Sequence, residues 1–286
     1  MKNISFHLEI TTYIVILSIL QGLTEFLPVS SSGHLLSLRC LIVQNMHTSE
    51  WVLLTLSLHM GTLLAAVVYF RNDFRTAARW MLQGWRSRYR WRAWWTAPMT
   101  VQWGSVMLAT LITGGIGWWL ADTVEHAFAD LRWVRYGFVV TAATLVPLRW
   151  WRPRGSVQFS HWHMGVQIAL LVGLFQVWAL FPGVSRSGVT IVAGLLGGLS
   201  PEMAFRFSFY TGIPLIFAAW VMDILRVMTR GIPLLLPVHM HLLSMGIAAL
   251  VGYGALHWLR VWTVRYRLHY FGVYCLTLAL LLFVLA

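Results

Sequence analysis

Two polar breaks interrupt an otherwise apolar chain, and both carry residue types suited to phosphate chemistry. The first reads Gln21-Gly22-Leu23-Thr24-Glu25-Phe26-Leu27-Pro28-Val29-Ser30-Ser31-Ser32-Gly33-His34. Gln21 and Glu25 share a helix face at i, i+4, and Pro28 ends regular helix, so the serines form a bend into a second helix. The second break, Phe181-Pro182-Gly183-Val184-Ser185-Arg186-Ser187-Gly188-Val189-Thr190, repeats the device and adds a guanidinium. Two helix N-termini, the hydroxyls of Ser30, Ser31, Ser185, Ser187 and Thr190, and Arg186, converging at one place, describe a receptor for a phosphate or diphosphate. A carboxylate such as Glu25 beside an anion site serves as a bridge to a divalent cation, a proton relay or a general base. His34, three residues after Ser31, lies on the same side of a helix start and is placed to orient or deprotonate that hydroxyl. A charged side chain at a bilayer centre costs about 2.5–3.5 kcal/mol, so Glu25 and Arg186 read as functional.

The elements that must position these breaks follow from the apolar pattern. Apolar runs fall at about residues 10–29, 33–44, 51–70, 101–121, 134–150, 165–182, 188–199, 205–223, 240–259 and 268–286. Most are long enough to cross a hydrocarbon core, but the runs at 33–44 and 188–199 hold only 12 residues each. Such lengths indicate re-entrant segments, so each short run pairs with the long run before it as a helical hairpin. A shift of 155 residues places Gln21 on Gln176, Phe26 on Phe181, Val29 on Val184, Ser30 on Ser185, Ser32 on Ser187 and Gly33 on Gly188. The order of elements repeats too, one hairpin and then three spans. The expected fold is an all-α polytopic membrane protein, a single membrane domain over 1–286 built of two inverted repeats, about 8–150 and 163–286. The hairpin tips should then meet near mid-membrane.

Composition agrees with the bilayer as solvent. Hydrophobic residues make up 58% of the 286, charged residues 10%, and mean hydropathy is +0.69; a soluble domain carries about 25% charged residues. Disorder, collagen and, with only Cys40 and Cys275, a disulfide scaffold are excluded. Lys2 precedes an apolar run without a small-residue cleavage site, which reads as retained structure. The net charge of +12 is mostly arginine. Seven arginines between Arg71 and Arg92 interleave with Trp80, Trp85 and Trp91, the composition of a juxtamembrane loop against anionic headgroups. No groove-reading motif accompanies them, so nucleic acid is not an expected partner. Loops 71–100, 149–164 and 260–267 carry 13 arginines, against 5 basic residues on the opposite side. The positive-inside rule then puts the Arg-rich loops in the cytoplasm and both termini outside. Other polar residues read as structural: His161-x-His163 and His239-x-His241 as interfacial pairs that share no helix face, Asp223 as a span end in water, Arg39 as a snorkelling side chain.

The two breaks together, Gly22-Leu23-Thr24-Glu25-Phe26-Leu27-Pro28-Val29-Ser30-Ser31-Ser32-Gly33-His34 and Pro182-Gly183-Val184-Ser185-Arg186-Ser187-Gly188, resemble the bacterial undecaprenyl-diphosphate phosphatase family called BacA or UppP. The resemblance covers nearly the whole chain. It implies an inner-membrane enzyme, open to the periplasm, that removes the terminal phosphate of the C55 isoprenoid diphosphate lipid and so recycles the carrier for cell-wall synthesis. It also implies a divalent cation, Mg2+ or Ca2+, and bacitracin resistance on overproduction. In these terms Gln21 and Glu25 give metal or catalytic support, and Ser31 is the nucleophile assisted by His34. Arg186 with Ser30, Ser185, Ser187 and Thr190 holds the diphosphate. Gln21 stands where familiar members often carry a second glutamate, and an amide is no base and a poorer magnesium ligand. Direct attack by water with Glu25 as base fits the same residues. Lipid phosphatases with a Pro-Ser-Gly-His motif would need a histidine at position 192, which is Val192. The rival outside enzymes is a transporter or flippase for an anionic isoprenoid lipid, which an inverted repeat suits equally. The sequence leaves a homodimer open.

Overall fold

The computed structural model describes residues 2–41, 48–86, 91–151, 157, 159–233 and 236–285. Arg88, Arg90, Arg152 and Arg154 of the Arg-rich loops, and the end of the run at 33–44, lie outside the described residues. The chain runs through α1 (Lys2–Thr24), α2 (Ser31–Leu41), α3 (Thr48–Tyr69), α4 (Arg71–Arg86), α5 (Trp91–Trp95), α6 (Pro98–Trp119), α7 (Ala121–Phe128), α8 (Leu131–Leu145), α9 (Trp162–Trp178), α10 (Arg186–Leu196), α11 (Pro201–Thr229), α12 (Val238–Val264) and α13 (His269–Leu285). No strand occurs among the described residues. Each of the ten apolar runs contains a helix among the described residues, and α3, α6, α11 and α12 are long and apolar enough to cross a membrane. The shorter two, α3 and α6, have 22 residues each, and a helix of that length extends about 33 Å, against a hydrocarbon core of about 30 Å.

Local sequence explains where these helices begin and stop. Ser200 caps α11 by accepting from the Met203 N–H, with Pro201 in the first turn where its missing donor is harmless. Asp130 caps α8 from the Arg132 N–H at 2.8 Å. That bond, with the Arg132 guanidinium at 2.7 Å, holds the Asp130 carboxyl below the usual carboxylate range. The arginine-rich stretch after Tyr69 differs from the expected plain loop. Arg71, Arg75 and Arg79 recur at four-residue spacing on the exposed side of α4, while Ala77 and Gly84 turn inward, so an amphipathic helix forms.

The long helices pair α3 with α12, α6 with α9 and α8 with α13, while α1 packs along α12, and α10 is held between α9 and α11. Apolar side chains such as Leu111, Leu250 and Val284 project outward, and Trp118, Trp119 and Trp150 stand exposed at helix ends. An outer surface of this kind suits lipid with tryptophan at the interface. Inside, Phe26, Phe70, Phe205 and Phe209 are almost wholly buried and stack or meet edge to face at 5.0–5.8 Å. Next to this aromatic cluster lies a group of four charges. Arg206 binds Asp73 and Glu202 at 2.9 Å, and Arg260 binds Glu202 at 2.9 Å, joining the start of α4 to α11 and α12.

Candidate active site

Backbone hydrogen bonds carry α1 to the first break, Glu25 N–H to Gln21 carbonyl at 3.0 Å and Leu27 N–H to Leu23 carbonyl at 3.1 Å, and Pro28 ends them. Ser30 then adopts a left-handed conformation, φ 67°, rare for a residue with a Cβ. Its hydroxyl accepts from the Gly33 N–H at 3.3 Å and lies 3.2 Å from Ser32 Oγ. The second tip repeats this pattern. Ser185 Oγ accepts from the Gly188 N–H at 3.2 Å and lies 3.3 Å from Ser187 Oγ. Thr141 on α8 anchors that tip, accepting from the Ser185 N–H at 2.9 Å and donating to the Gly183 carbonyl at 3.0 Å. Gly183 has φ 90° and lies hard against the Val134 carbonyl, a position open only to glycine.

Both tips meet at a cavity of about 550 Å³, lined by Glu25, Ser30, Ser31 and Ser32 from one and Ser185 and Arg186 from the other. Glu25 is the hub. Its Oε2 accepts from Gln21 Nε2 at 3.0 Å and from Ser31 Oγ at 2.7 Å, and its Oε1 lies 3.8 Å from Arg186 Nη2. The Glu25 side chain is 7% exposed and that of Arg186 is 15% exposed. The guanidinium lies 5.5 Å over the Phe209 ring, and neither terminal nitrogen has a hydrogen-bond acceptor in the protein. Buried donors of this kind are costly unless an anion accepts from them. A serine hydroxyl bonded to a carboxylate and facing an arginine is arranged for attack on phosphorus, with the carboxylate taking the proton.

Three expected residues stand elsewhere. His34 is not directed at Ser31. Its Nδ1 bonds the Ser30 carbonyl at 2.7 Å, its Nε2 meets Tyr274 Oη at 2.8 Å, and the ring packs between Phe138 and Tyr274. A ring with both nitrogens engaged braces the tip. Ser187 and Thr190 do not line the cavity; Thr190 donates to the Arg186 carbonyl at 2.7 Å and lies 2.6 Å from Ser208 Oγ. Hydroxyls inside an apolar fold turn back to the nearest backbone acceptor, and one turn into α10 that is position 186. Conversely, residues set aside as structural do line the cavity. Arg39 lies 5.3 Å over Trp51, and Asp223 stands on the α11 side. His59 lies within an apolar run, yet its Nε2 is 3.8 Å from Glu25 Oε2. Its signal was one imidazole in a span, but only the packing of α3 brings it to Glu25. Among the described residues no three His, Cys, Asp or Glu side chains cluster.

A divalent cation fits the donors present in a limited way. Glu25 supplies one carboxylate, and Gln21 Oε1, buried without a donor partner, supplies one amide oxygen. Mg2+ is commonly held by one or two carboxylates together with substrate phosphates, which this set allows.

Fold and site together define a polytopic helical membrane protein whose two broken helix pairs meet at a cavity lined by serines, Glu25 and Arg186. The family model for bacitracin resistance protein BacA matches residues 14–281, and the chain belongs to that family. It is 35% identical over 273 residues to undecaprenyl-diphosphatase 2 of Burkholderia ambifaria, covering 92% of each chain. It is also 35% identical to undecaprenyl-diphosphatase of Nitrosococcus oceani, covering 96% of this chain and 98% of the relative. The corresponding protein of Thermomicrobium roseum is 34% identical over 283 residues.

Proposed function

We propose that this protein hydrolyses undecaprenyl diphosphate to undecaprenyl phosphate and phosphate, recycling the lipid carrier of wall synthesis and conferring bacitracin resistance. The observation that carries the chemistry is the 2.7 Å bond from Ser31 Oγ to Glu25 Oε2, on a cavity wall that also holds Arg186. Arg186 and the first turns of α2 and α10 receive the diphosphate oxygens, with Ser30 and Ser185 shaping those turns. Ser31 Oγ attacks the terminal phosphorus while Glu25 accepts its proton, and the bond to the bridging oxygen breaks, releasing undecaprenyl phosphate. Glu25 then returns that proton to the Ser31 oxygen as water displaces it from phosphorus, takes up the proton the water loses, and releases it to solvent, which restores the carboxylate. Glu25 and Gln21 would hold a divalent cation, which when bound neutralises charge developing on the diphosphate.

The inverted-repeat reading, with halves at about 8–150 and 163–286, draws support from the matching hydrogen bonds at the two tips and from swapped packing, α1 on α12 and α9 on α6. With the Arg-rich side in the cytoplasm, the protein sits in the bacterial inner membrane with both termini outside and the cavity open to the periplasm. The test is phosphate release from the C55 diphosphate by purified protein in detergent with Mg2+ or Ca2+. Wild type turns over, Glu25→Gln and Arg186→Ala lose about 10²–10⁴-fold, and acid quenching traps phosphoserine that Ser31→Ala lacks. Folded wild type that moves labelled lipid across vesicles without releasing phosphate would instead establish a flippase.

A further inference from the structure

We infer that His59 is a cation ligand, taking the place of a second carboxylate and shifting the site's preference from Mg2+ and Ca2+ toward borderline metals such as Co2+ or Zn2+. His59 Nδ1 lies 2.8 Å from the Thr55 carbonyl, an oxygen that can only accept, so Nδ1 is a donor and the lone pair of a neutral ring lies on Nε2. Nε2 then presents its lone pair to the cavity, where Glu25 Oε2 stands 3.8 Å away. That separation is too long for a hydrogen bond. Two electron-rich atoms thus face one another across a gap, the Glu25 side chain 7% and the His59 side chain 36% exposed. Gln21 lies beside them, its Oε1 buried without a donor and its Nε2 on Glu25 at 3.0 Å. A half-turn of the amide exchanges those two atoms, and a shared cation is what makes the exchanged orientation favourable. Three ligand atoms, the oxygens Glu25 Oε2 and Gln21 Oε1 and the nitrogen His59 Nε2, then address one point. An imidazole whose other nitrogen donates to a backbone carbonyl is the usual support of a metal-binding histidine.

The chemistry of the set decides the ion. Replacing a carboxylate by an imidazole removes one negative charge and one hard oxygen, which weakens the hold on Mg2+ and Ca2+ and suits Co2+ or Zn2+, with Mn2+ serving as the spectroscopic probe. Arg186 approaches Oε1, the opposite oxygen of Glu25, and so leaves this face to the metal.

The inference rests on the cation of the proposed phosphatase reading, but its readout is binding. Mn2+ titration of the purified protein in detergent, followed by electron paramagnetic resonance, should show one Mn2+ per chain, displaced by Co2+ more readily than by Mg2+. Echo-modulation spectra of that bound Mn2+ in wild type should contain the imidazole ¹⁴N coupling. His59→Ala should weaken Mn2+ at least about tenfold while changing Mg2+ binding much less. Bound Mn2+ without ¹⁴N coupling, or unchanged Mn2+ affinity in a His59→Ala protein of normal melting temperature, overturns the assignment. So does a wild type that binds no Mn2+ yet releases phosphate, an outcome that leaves the phosphatase reading standing.

Discussion

Glu25 carries more of this site than a paired acid would, because its neighbour at i−4 is an amide. Gln21 donates one N–H to it, Ser31 donates a hydroxyl, and Arg186 balances its charge from the other hairpin. The same economy explains His34. With Ser30 and Tyr274 occupying its nitrogens it holds the tip in register, and the left-handed Ser30 shows how tightly that tip is constrained. If bracing is its role, Tyr274→Phe and His34→Gln should lower kcat to a similar degree, roughly five- to tenfold for one lost hydrogen bond of about 1 kcal/mol, and their double variant should lose little more. Were His34 the base for Ser31, Tyr274→Phe would be nearly silent while His34→Gln would cost orders of magnitude. Steady-state phosphate release on the three variants separates these outcomes. Glu25, Ser31 and Arg186 were legible in the sequence because charge or serine clusters inside apolar runs have few uses. His59 was not, since its meaning depends on which face of α3 meets α1.

At the scale of elements, the two breaks announced the hairpins through Pro28, Pro182 and the short runs after them, and the helices stop and restart there. The depth at which side chains sit is a matter of packing and escaped the pattern. Gly212 on α11 illustrates it. A Cβ there would overlap Arg186 Nη1, so glycine opens the slot in which the guanidinium lies beside Phe209. Gly212→Ala should push Arg186 out of that slot, raise KM for diphosphate lipid and cut kcat/KM by about tenfold or more, while the helix-favouring alanine leaves α11 intact. Circular dichroism with phosphate-release kinetics checks both halves. The Arg-rich connection escaped as well, because loop composition and an interfacial helix look alike until Ala77 and Gly84 are seen to face inward.

For the whole molecule, the long apolar spans and the outward tryptophans follow from composition, whereas the interior is layered in a way no single-residue signal reveals. From the cavity, Arg186 rests on Phe209, which packs on Phe70 and Phe205. Those two in turn border the Asp73, Glu202, Arg206 and Arg260 cluster. Polar hairpins reaching into a membrane invite water, and water carries protons down the membrane potential, worth about 2.3 kcal/mol per charge per 100 mV. In the proposed orientation the layer of phenylalanines would serve as an electrical insulator beneath the cavity. Phe70→Ala with Phe209→Ala should make proteoliposomes acidify several-fold faster under an imposed potential, followed with an internal pH dye, at a stability cost of about 3–5 kcal/mol per truncation. An unchanged leak in folded protein would place the barrier elsewhere. With the layer intact, a hydrolase in the proposed orientation would open its chamber to one side of an energised membrane and turn over without discharging it.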